Sequence, residues 1–516
     1  MNSRIENSKR NILGLALNKI VNLMMPFLSR TAMIYYLGTI YLGLNSLFTS
    51  IISVLSLAEL GIGTAMVFSM YKPMANHDDE TVCALLELYR RIYCVIGTVI
   101  LIAGMLFIPF LPRIIKGEYP ASVNLYGIYL IMLFNTVISY YLFAYKESIF
   151  IASQRTDLLS NINTVICIIL NIGQTLIIIF TKNYYLFCTF IPITTIIGMF
   201  CKNYIIGKRF PQYFCHGSID RAMKSDIKKR VAGLFIYKVC DVLRFSLDSI
   251  VLSAFLGLAI LAKYNNYYYI MSAVSGMVGV IATSITASIG NSIVKENKEK
   301  NYRDFNRIQL LYMWVSGFCV VSLFCLYQPF MKIWVGEQLM FDDGTMLFFC
   351  IYFFVSRWGD ICFAYRQAAG LWWQDRVRPI IEALLNITLN IILVQVIGVV
   401  GVLLSTILGL IFVNSVWGSK ILFKYYFTNF NQAKYIGRLM IFTITTMIVC
   451  GIVKAVSETC IVILNIDNLI AVLSIKLMFC CAIPNILFFI VYSKLPEFND
   501  SKALLIKVLH TRINRY

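Results

Sequence analysis

Residues 158–181 read LLSNINTVICIILNIGQTLIIIFT, and this stretch contains no Asp, Glu, Lys or Arg. A helix of that length rises about 36 Å, which is enough to cross the roughly 30 Å hydrocarbon core of a bilayer. The run is also too continuous for a membrane β-strand, in which apolar and polar residues alternate. The stretch therefore predicts a transmembrane helix.

The rest of the chain is also strongly apolar. Of its 516 residues, 59% are hydrophobic and only 14% are charged, and the mean hydropathy is +0.75. Soluble domains contain about 25% charged residues, so the solvent of this chain must be lipid. The predicted fold class is an all-α polytopic membrane protein. We predict fourteen spans, near residues 11–37, 43–70, 92–112, 123–145, 158–181, 184–204, 231–257, 264–290, 308–330, 344–365, 379–396, 399–419, 439–456 and 468–493.

The distribution of Lys and Arg predicts the orientation. These residues are concentrated in the loops on the side of the N-terminus, and cytoplasmic loops are the basic ones. We therefore expect a multi-pass plasma-membrane (inner-membrane) protein with both termini in the cytoplasm. The apolar stretch that ends at Leu37 is too long for a signal-peptide core and is predicted to be a retained first span. Basic runs such as Lys228-Lys229-Arg230 lie beside spans, so the net charge of +19 indicates anionic lipid headgroups as partners and not nucleic acid.

An internal repeat divides the chain into two halves. Short segments recur at a nearly constant offset, which predicts two parallel six-helix repeats followed by two further helices. The predicted domains are 1–204 with spans one to six, a basic cytoplasmic linker at 205–230, 231–423 with spans seven to twelve, and 424–516 with the last two spans and a basic tail. The matched segments are Ala144-Tyr145-Lys146 with Ala364-Tyr365-Arg366, Gln154 with Gln374, Leu170-Asn171-Ile172 with Leu389-Asn390-Ile391, and Leu37-Gly38 with Leu256-Gly257.

Ionised side chains at membrane depth concentrate in span seven. Lys238, Asp241, Arg244 and Asp248 are spaced by 3, 3 and 4 residues, which places them on one face of a helix. Such residues either face a hydrated cavity or neutralise one another, Asp241 with Lys238 or Arg244 and Asp248 with Arg244. We favour a cavity. Because a guanidinium binds phosphate through two hydrogen bonds, a cationic cavity predicts an anionic substrate.

Other spans also carry polar or charged residues. In span one, Asn11, Asn18, Asn22 and Ser29 are nearly in line, and Lys19 and Arg30 form an adjacent strip. Arg357 and Asp360 in span ten are interpreted as an ion pair. Glu382 and Lys476 are either paired or extended to the interface. In span two, residues 59–63 join the carboxylate of Glu59 to two glycines, and we interpret this stretch as a hinge.

Three segments near the N-terminus resemble the N-terminal signature of bacterial polysaccharide flippases. These segments are 27–30 (FLSR), 36–45 (YLGTIYLGLN) and 55–65 (LSLAELGIGTA). Residues 154–157 (QRTD), after span four, resemble a short cytoplasmic motif of the same family, which belongs to the multidrug/oligosaccharidyl-lipid/polysaccharide exporter superfamily. The fourteen-span plan agrees with this resemblance over the whole chain.

The resemblance implies a V-shaped two-lobe bundle in which spans one, two, seven and eight line a central cavity. It implies alternating access and a substrate class of undecaprenyl-diphosphate-linked repeat units for O-antigen, capsule or exopolysaccharide. Glycosyltransferases and a polymerase of the same pathway are the expected protein partners. No cofactor is expected, apart from a coupling Na⁺ or H⁺. The implied sites are Arg30, Lys238 and Arg244 for diphosphate, Asn18, Lys19 and Asn22 for the cavity lining and sugar, and Glu59, Asp241 and Asp248 for the coupling ion.

Three other classes of protein remain as alternatives. A multidrug exporter of the same superfamily would need an acidic or aromatic pocket for cationic amphiphiles, and the basic span residues weigh against it. A membrane polymerase, glycosyltransferase or acyltransferase would need a large outside loop or a His/Asp constellation. The outside loops are short, and the three histidines, His77, His216 and His510, fall in predicted cytoplasmic segments. An assembly scaffold would leave the charged face of span seven unexplained. We therefore predict a secondary transporter and not an enzyme.

Overall fold

The computed structural model describes the backbone of residues 2–59, 61–117, 119–120 and 122–498. Within these ranges, side chains are described from residue 17 onward, apart from those at 58, 222, 226, 229–230, 232–238, 241, 244–245 and 287. Helices make up 87% of the structure, and the described ranges contain no strand. The predicted all-α polytopic membrane fold is therefore confirmed.

The helices fall into two compact units, which divide between Ala262 and Lys263. The first unit contains α1 (Asn2–Tyr36), α2 (Thr39–Leu55), α3 (Ile62–Ala75), α4 (Asp79–Phe107), α5 (Leu125–Tyr141), α6 (Glu147–Ala152), α7 (Thr156–Thr181), α8 (Tyr184–Arg209) and α9 (Arg221–Leu256). The helix α10 (Leu258–Lys295) begins in the first unit and continues into the second. The second unit also contains α11 (Lys298–Val335), α12 (Asp343–Trp358), α13 (Asp360–Ala368), α14 (Trp372–Asp375), α15 (Arg378–Leu408), α16 (Gly418–Tyr425), α17 (Gln432–Ile463) and α18 (Leu469–Tyr492). A π-helix, Gly409–Trp417, joins α15 to α16.

Each of the fourteen predicted spans coincides with a helix or with a broken pair of helices. In the described part of the chain, nine helical stretches are long and apolar enough to cross a membrane, and the bent pair α5 and α6 makes a tenth. One of the nine, Trp372–Tyr425, contains two predicted spans. It turns back at Ile397 and Gly398, which have non-helical backbone angles, and this turn lies between predicted spans eleven and twelve.

Span two is broken, whereas the sequence predicted a continuous helix over 43–70. The helix α2 ends at Leu55, a 3₁₀ turn covers Ser56–Glu59, and α3 begins at Ile62. Gly61 has a φ of +90°, which lies in the left-handed region that glycine enters without steric cost. A residue in that conformation cannot continue a right-handed helix, so the span breaks beside Glu59.

The two glycines of the Leu-Gly repeat have the same backbone conformation. Gly38 ends α1 with φ 104° and ψ 167°, and Gly257 ends α9 with φ 89° and ψ 171°. Each amide donates to a carbonyl in the last turn, Gly38 to Met33 and Gly257 to Leu252. This region of backbone conformation is essentially restricted to glycine. The predicted repeat therefore extends to the dihedral angles of its helix ends.

Each unit has its own packed core. In the first unit, α1 packs along α7, α4 along α5, and α9 along α2. Predicted span seven therefore packs within the first unit. In the second unit, α11 contacts α12, α17 and α18. An aromatic cluster around the fully buried Phe305 joins α11, α13 and α16 through Tyr365, Phe423 and Phe427.

Candidate functional site

The polar row of α1 divides into packing groups and exposed groups. The Asn18 amide donates to the Ser160 carbonyl at 3.2 Å and to the Thr164 hydroxyl at 3.0 Å, and both acceptors lie on α7. The Asn22 amide donates to the Asn18 side chain at 2.9 Å, and Asn22 itself is exposed. The amide of Asn18 thus helps to hold α1 against α7, while that of Asn22 lies at the surface of the first unit.

The strip beside this row is basic. Lys19 is exposed, whereas Arg30 is half-buried, about two turns before the end of α1. Ser29, next to Arg30, is buried and donates to Asn171 on α7 at 2.8 Å. Because Ser29 is held in this way, the register of α1 against α7 is fixed near Arg30.

The predicted charged face of span seven lies on one unbroken helix, α9. The side chains of Lys238, Asp241 and Arg244 lie outside the described residues. Asp248 is described and is buried, with 3% of its surface exposed. All four residues therefore lie on a helical backbone, as their spacing requires. Their functional assignments stay predictions.

The carboxylate of Glu59 is surrounded by tyrosines. Its Oε1 accepts a hydrogen bond from Tyr93 on α4 at 2.6 Å, and its Oε2 accepts one from Tyr140 on α5. The Tyr89 hydroxyl in turn donates to the Tyr93 hydroxyl at 2.7 Å. In the described part of the chain, Glu59 has no cation within 4.0 Å. This carboxylate is therefore held at a break in a predicted span by hydroxyl groups alone.

The second unit contains a related group with a counter-charge. Tyr312 on α11 donates to the Asp360 carboxylate, and the Arg357 guanidinium lies 2.9 Å from the same oxygen. The predicted Arg357–Asp360 ion pair is therefore confirmed. Tyr312 occupies the repeat position of Tyr93, at the offset that also relates the two Leu-Gly pairs. A tyrosine at the same repeat position thus binds a carboxylate in both units, but among the described side chains only the second unit supplies an arginine beside it.

Sequence reasoning missed these tyrosines. The available signal was the match of Tyr93 with Tyr312 at the repeat offset, and it is weak because the carboxylates do not match. Glu59 precedes Tyr93 in its unit, whereas Asp360 follows Tyr312. Only the fold shows that both tyrosines meet an acid.

A cluster of four charged residues is buried in the second unit. The Arg378 guanidinium donates to both oxygens of Asp375, at 2.6 and 3.1 Å, and to Glu382 at 2.8 Å. Arg366 lies 3.5 Å from Asp375, and all four residues are at most 7% exposed. Glu382 therefore lies in a buried ion pair and does not extend to the interface. Lys476 is also mostly buried, 3.9 Å from Glu458.

A different set of contacts surrounds the corresponding position in the first unit. Lys146, which matches Arg366 in the repeat, donates to Asn203 at 2.6 Å. The neighbouring Glu147 is paired with the buried Lys202 at 2.5 Å. The first unit thus ties the end of span four, and the second unit the end of span ten, to neighbouring helices through buried or half-buried charges.

Comparison with solved structures identifies the fold. The lipid II flippase MurJ, in an inward closed conformation, has a TM-score of 0.65 at 15% identity and covers 94% of this chain and 99% of its own. An inward-facing multidrug resistance MATE family transporter of the MOP superfamily has a TM-score of 0.61 at 17% identity, with 80% and 98% covered. A variant of the Vibrio cholerae MATE transporter VcmN has a TM-score of 0.58 at 16% identity, with 82% and 98% covered. No protein-family profile matches the chain, and no curated protein matches it by sequence. The chain thus has the fold of MOP-superfamily transporters.

Proposed function

We propose that this chain is a flippase. It translocates undecaprenyl-diphosphate-linked oligosaccharide repeat units from the cytoplasmic to the outer leaflet of the plasma membrane, for O-antigen, capsule or exopolysaccharide biosynthesis. The supporting observation is that the likeness to the lipid II flippase extends over 94% of the chain. The two MATE transporters leave roughly a fifth of it unmatched. A whole-chain likeness favours a lipid-linked substrate over a small cation.

The substrate headgroup is assigned to the basic groups of α1 and α9. Arg30, Lys238 and Arg244 bind the diphosphate, because guanidinium groups donate paired hydrogen bonds to phosphate oxygens and stay charged when partly desolvated. Asn22 and Lys19 are exposed along α1, which supports their assignment to the sugar and the cavity lining. Asn18 belongs to the same assignment, and its oxygen orients the Asn22 amide.

An ion gradient drives the return step. A bound ion shifts a conformational equilibrium only by its differential affinity for the two states. Candidates for binding Na⁺ or H⁺ are Glu59, Asp241 and Asp248, and Glu59 has the strongest support. Its carboxylate has no paired cation in the described part of the chain and lies beside a break in the helix. Uptake of a cation there would remove an uncompensated charge at membrane depth.

Transport of a fluorescent polyprenyl-diphosphate glycan in proteoliposomes tests the proposal. Arg30→Ala and Arg244→Ala are each expected to lower the flipping rate about tenfold or more, because one charge-assisted hydrogen bond contributes about 1.5–3 kcal/mol. Arg221→Ala, at the exposed start of α9, is the matched control and keeps the rate of the parent chain. Unchanged rates in both test variants, at normal expression, would refute the cationic site.

The same vesicles distinguish the alternatives. A multidrug exporter shares the fold and would accumulate a cationic dye such as ethidium while leaving the glycan lipid in place. A polymerase or acyltransferase would change the mass of the glycan. We expect neither outcome, and a dye-only result would replace the flippase proposal by the exporter. Glycosyltransferases and a polymerase of the pathway are the proposed partners in the cell.

A further inference from the structure

The connection between α13 and α15 presents two tryptophans at the surface of the second unit. Trp373 is 71% exposed and Trp372 is 44% exposed. The Arg376 guanidinium carbon lies 3.7 Å from the centre of the Trp373 ring, and the same group donates to the Trp373 carbonyl at 2.5 Å. In the described part of the chain, Arg376 has no carboxylate within 4.0 Å. An unneutralised cation is therefore fixed on an exposed indole.

The buried charge cluster holds this pair in place. Asp375 lies between Trp373 and Arg376 in the sequence and accepts two hydrogen bonds from the buried Arg378. Asp375 is buried, whereas Trp373 and Arg376 on either side of it are exposed. Gly370, with φ +69°, makes the turn that leads into this short helix. The surface pair is thus pre-organised and is not a flexible loop tip.

Exposed apolar residues follow the tryptophans into α15. Val377, which caps the start of α15, and Ile381 and Leu384 on the helix are 46%, 39% and 56% exposed, and their spacings of four and three residues suit one helix face. This face belongs to a stretch that is apolar enough to cross a membrane. Tryptophan is enriched where spans leave the hydrocarbon, because its ring is apolar and its N–H is polar. The row therefore leads from acyl chains to the headgroup layer.

We propose that Trp372, Trp373 and Arg376 form a binding site for the headgroup of an anionic phospholipid. The indoles lie at the level of the lipid carbonyls, and Arg376 binds the phosphate. The rings keep the guanidinium near the interface, where a phosphate contact is stronger than in bulk water. This site does not depend on the transported substrate.

The internal repeat indicates that the site belongs to one unit only. At the offset that relates Gln154 to Gln374, Trp372 and Trp373 correspond to Ala152 and Ser153. By the same offset, Arg376 corresponds to Thr156. Neither the aromatic rings nor the cation is required by the shared architecture. The sequence of the first unit therefore lacks this headgroup site.

Depth-dependent fluorescence quenching tests the placement. The emission that is lost in Trp373→Phe is the signal of Trp373. In vesicles, we expect lipids brominated near the headgroup to quench this signal more than lipids brominated near the chain ends. Trp358→Phe provides the control, because Trp358 is buried in the protein. Quenching by aqueous iodide without quenching by either lipid would overturn the proposal and would favour a protein partner.

Native mass spectrometry tests the phosphate contact. The detergent-purified chain is mixed with phosphatidylglycerol or phosphatidylcholine, and Arg376→Gln is expected to lose one retained phosphatidylglycerol while phosphatidylcholine binding stays the same. Arg221→Gln, an exposed arginine of the first unit, is the control and keeps the parent pattern. Equal phosphatidylglycerol retention in all three proteins would refute the role of Arg376. A polyprenyl diphosphate added as competitor should not displace this lipid, and its displacement would reassign Arg376 to the substrate.

Discussion

At the residue scale, the two half-buried carboxylates that accept from tyrosines differ in their counter-charge. Asp360 is neutralised by Arg357 at 2.9 Å, whereas Glu59 is held by Tyr93 and Tyr140 hydroxyl groups. A carboxylate without a basic partner in a membrane span is costly, so binding of a cation beside it would be favourable. The proposed coupling role therefore falls on Glu59 and not on Asp360.

We predict that Glu59→Gln uncouples transport. Gradient-driven flipping in proteoliposomes should fall at least about tenfold, because loss of a coupling step worth about 1.4 kcal/mol already gives that factor. Flipping without a gradient should remain near the parent rate. Glu80→Gln, at the exposed start of α4, is the matched control. If Glu59→Gln responded fully to both Na⁺ and H⁺ gradients, Glu59 would have no coupling role.

A second prediction concerns the buried charges of the second unit. Arg378→Met should lower the free energy of unfolding by about 3–5 kcal/mol, since it leaves Asp375 and Glu382 buried without their shared donor. The midpoint of thermal unfolding in detergent measures the loss. The triple replacement by apolar residues at 375, 378 and 382 should recover much of it. A single variant as stable as the parent would show that water satisfies these carboxylates.

Sequence reasoning found the charged residues but not all of their partners. Arg357 and Asp360 were paired correctly, because one helical turn separates them. The sequence left open whether Glu382 is paired, since its partner Arg378 lies just before the predicted start of span eleven. The tyrosines around Glu59 come from two other spans, and nothing in the local sequence brings Tyr93 or Tyr140 near it. Pairings between spans require the fold.

At the element scale, the repeat was the most productive signal. The repeat matches the Leu-Gly pairs at 37–38 and 256–257, and the structure shows that both glycines lie at helix ends with positive φ angles. The broken span two was not predicted as a break, although residues 59–63 were interpreted as a hinge. An apolar composition predicts membrane insertion without showing whether the backbone stays helical. Gly61 makes the break because a glycine tolerates φ +90° there.

The glycine helix ends give a paired prediction. Gly38→Ala should lower the free energy of unfolding by about 1–3 kcal/mol through backbone strain alone, because a Cβ there has no neighbour within 4 Å. Gly257→Ala should cost more, since its Cβ would also lie 2.8 Å from the Lys116 carbonyl oxygen. The midpoints of thermal unfolding of the two variants show which substitution costs more stability. Gly437→Ala, a helical glycine with open space, is the control and should be neutral or slightly stabilising.

At the scale of the whole molecule, the fold class and the spans followed from composition and apolar length. The MOP-superfamily fold agrees with the resemblance seen in the N-terminal segments between Phe27 and Ala65. The division into units did not follow directly from the repeat. The repeat assigns span seven to the second half, whereas α9 packs against α2 in the first unit. Repeat boundaries reflect sequence similarity, and compact units reflect packing, so the two need not coincide.

The proposed direction of transport requires that the basic loops and both termini lie in the cytoplasm. Asp467→Cys places a thiol in the exposed connection between α17 and α18, and Lys224→Cys places one at the start of α9. If the basic loops are cytoplasmic, a membrane-impermeant maleimide added to intact cells should label the first variant above the background of the parent cysteines. The second variant should be labelled only after permeabilisation. The reverse pattern would invert the membrane topology, and the basic linker, Arg376 and the loading side of the substrate would then all lie outside the cell.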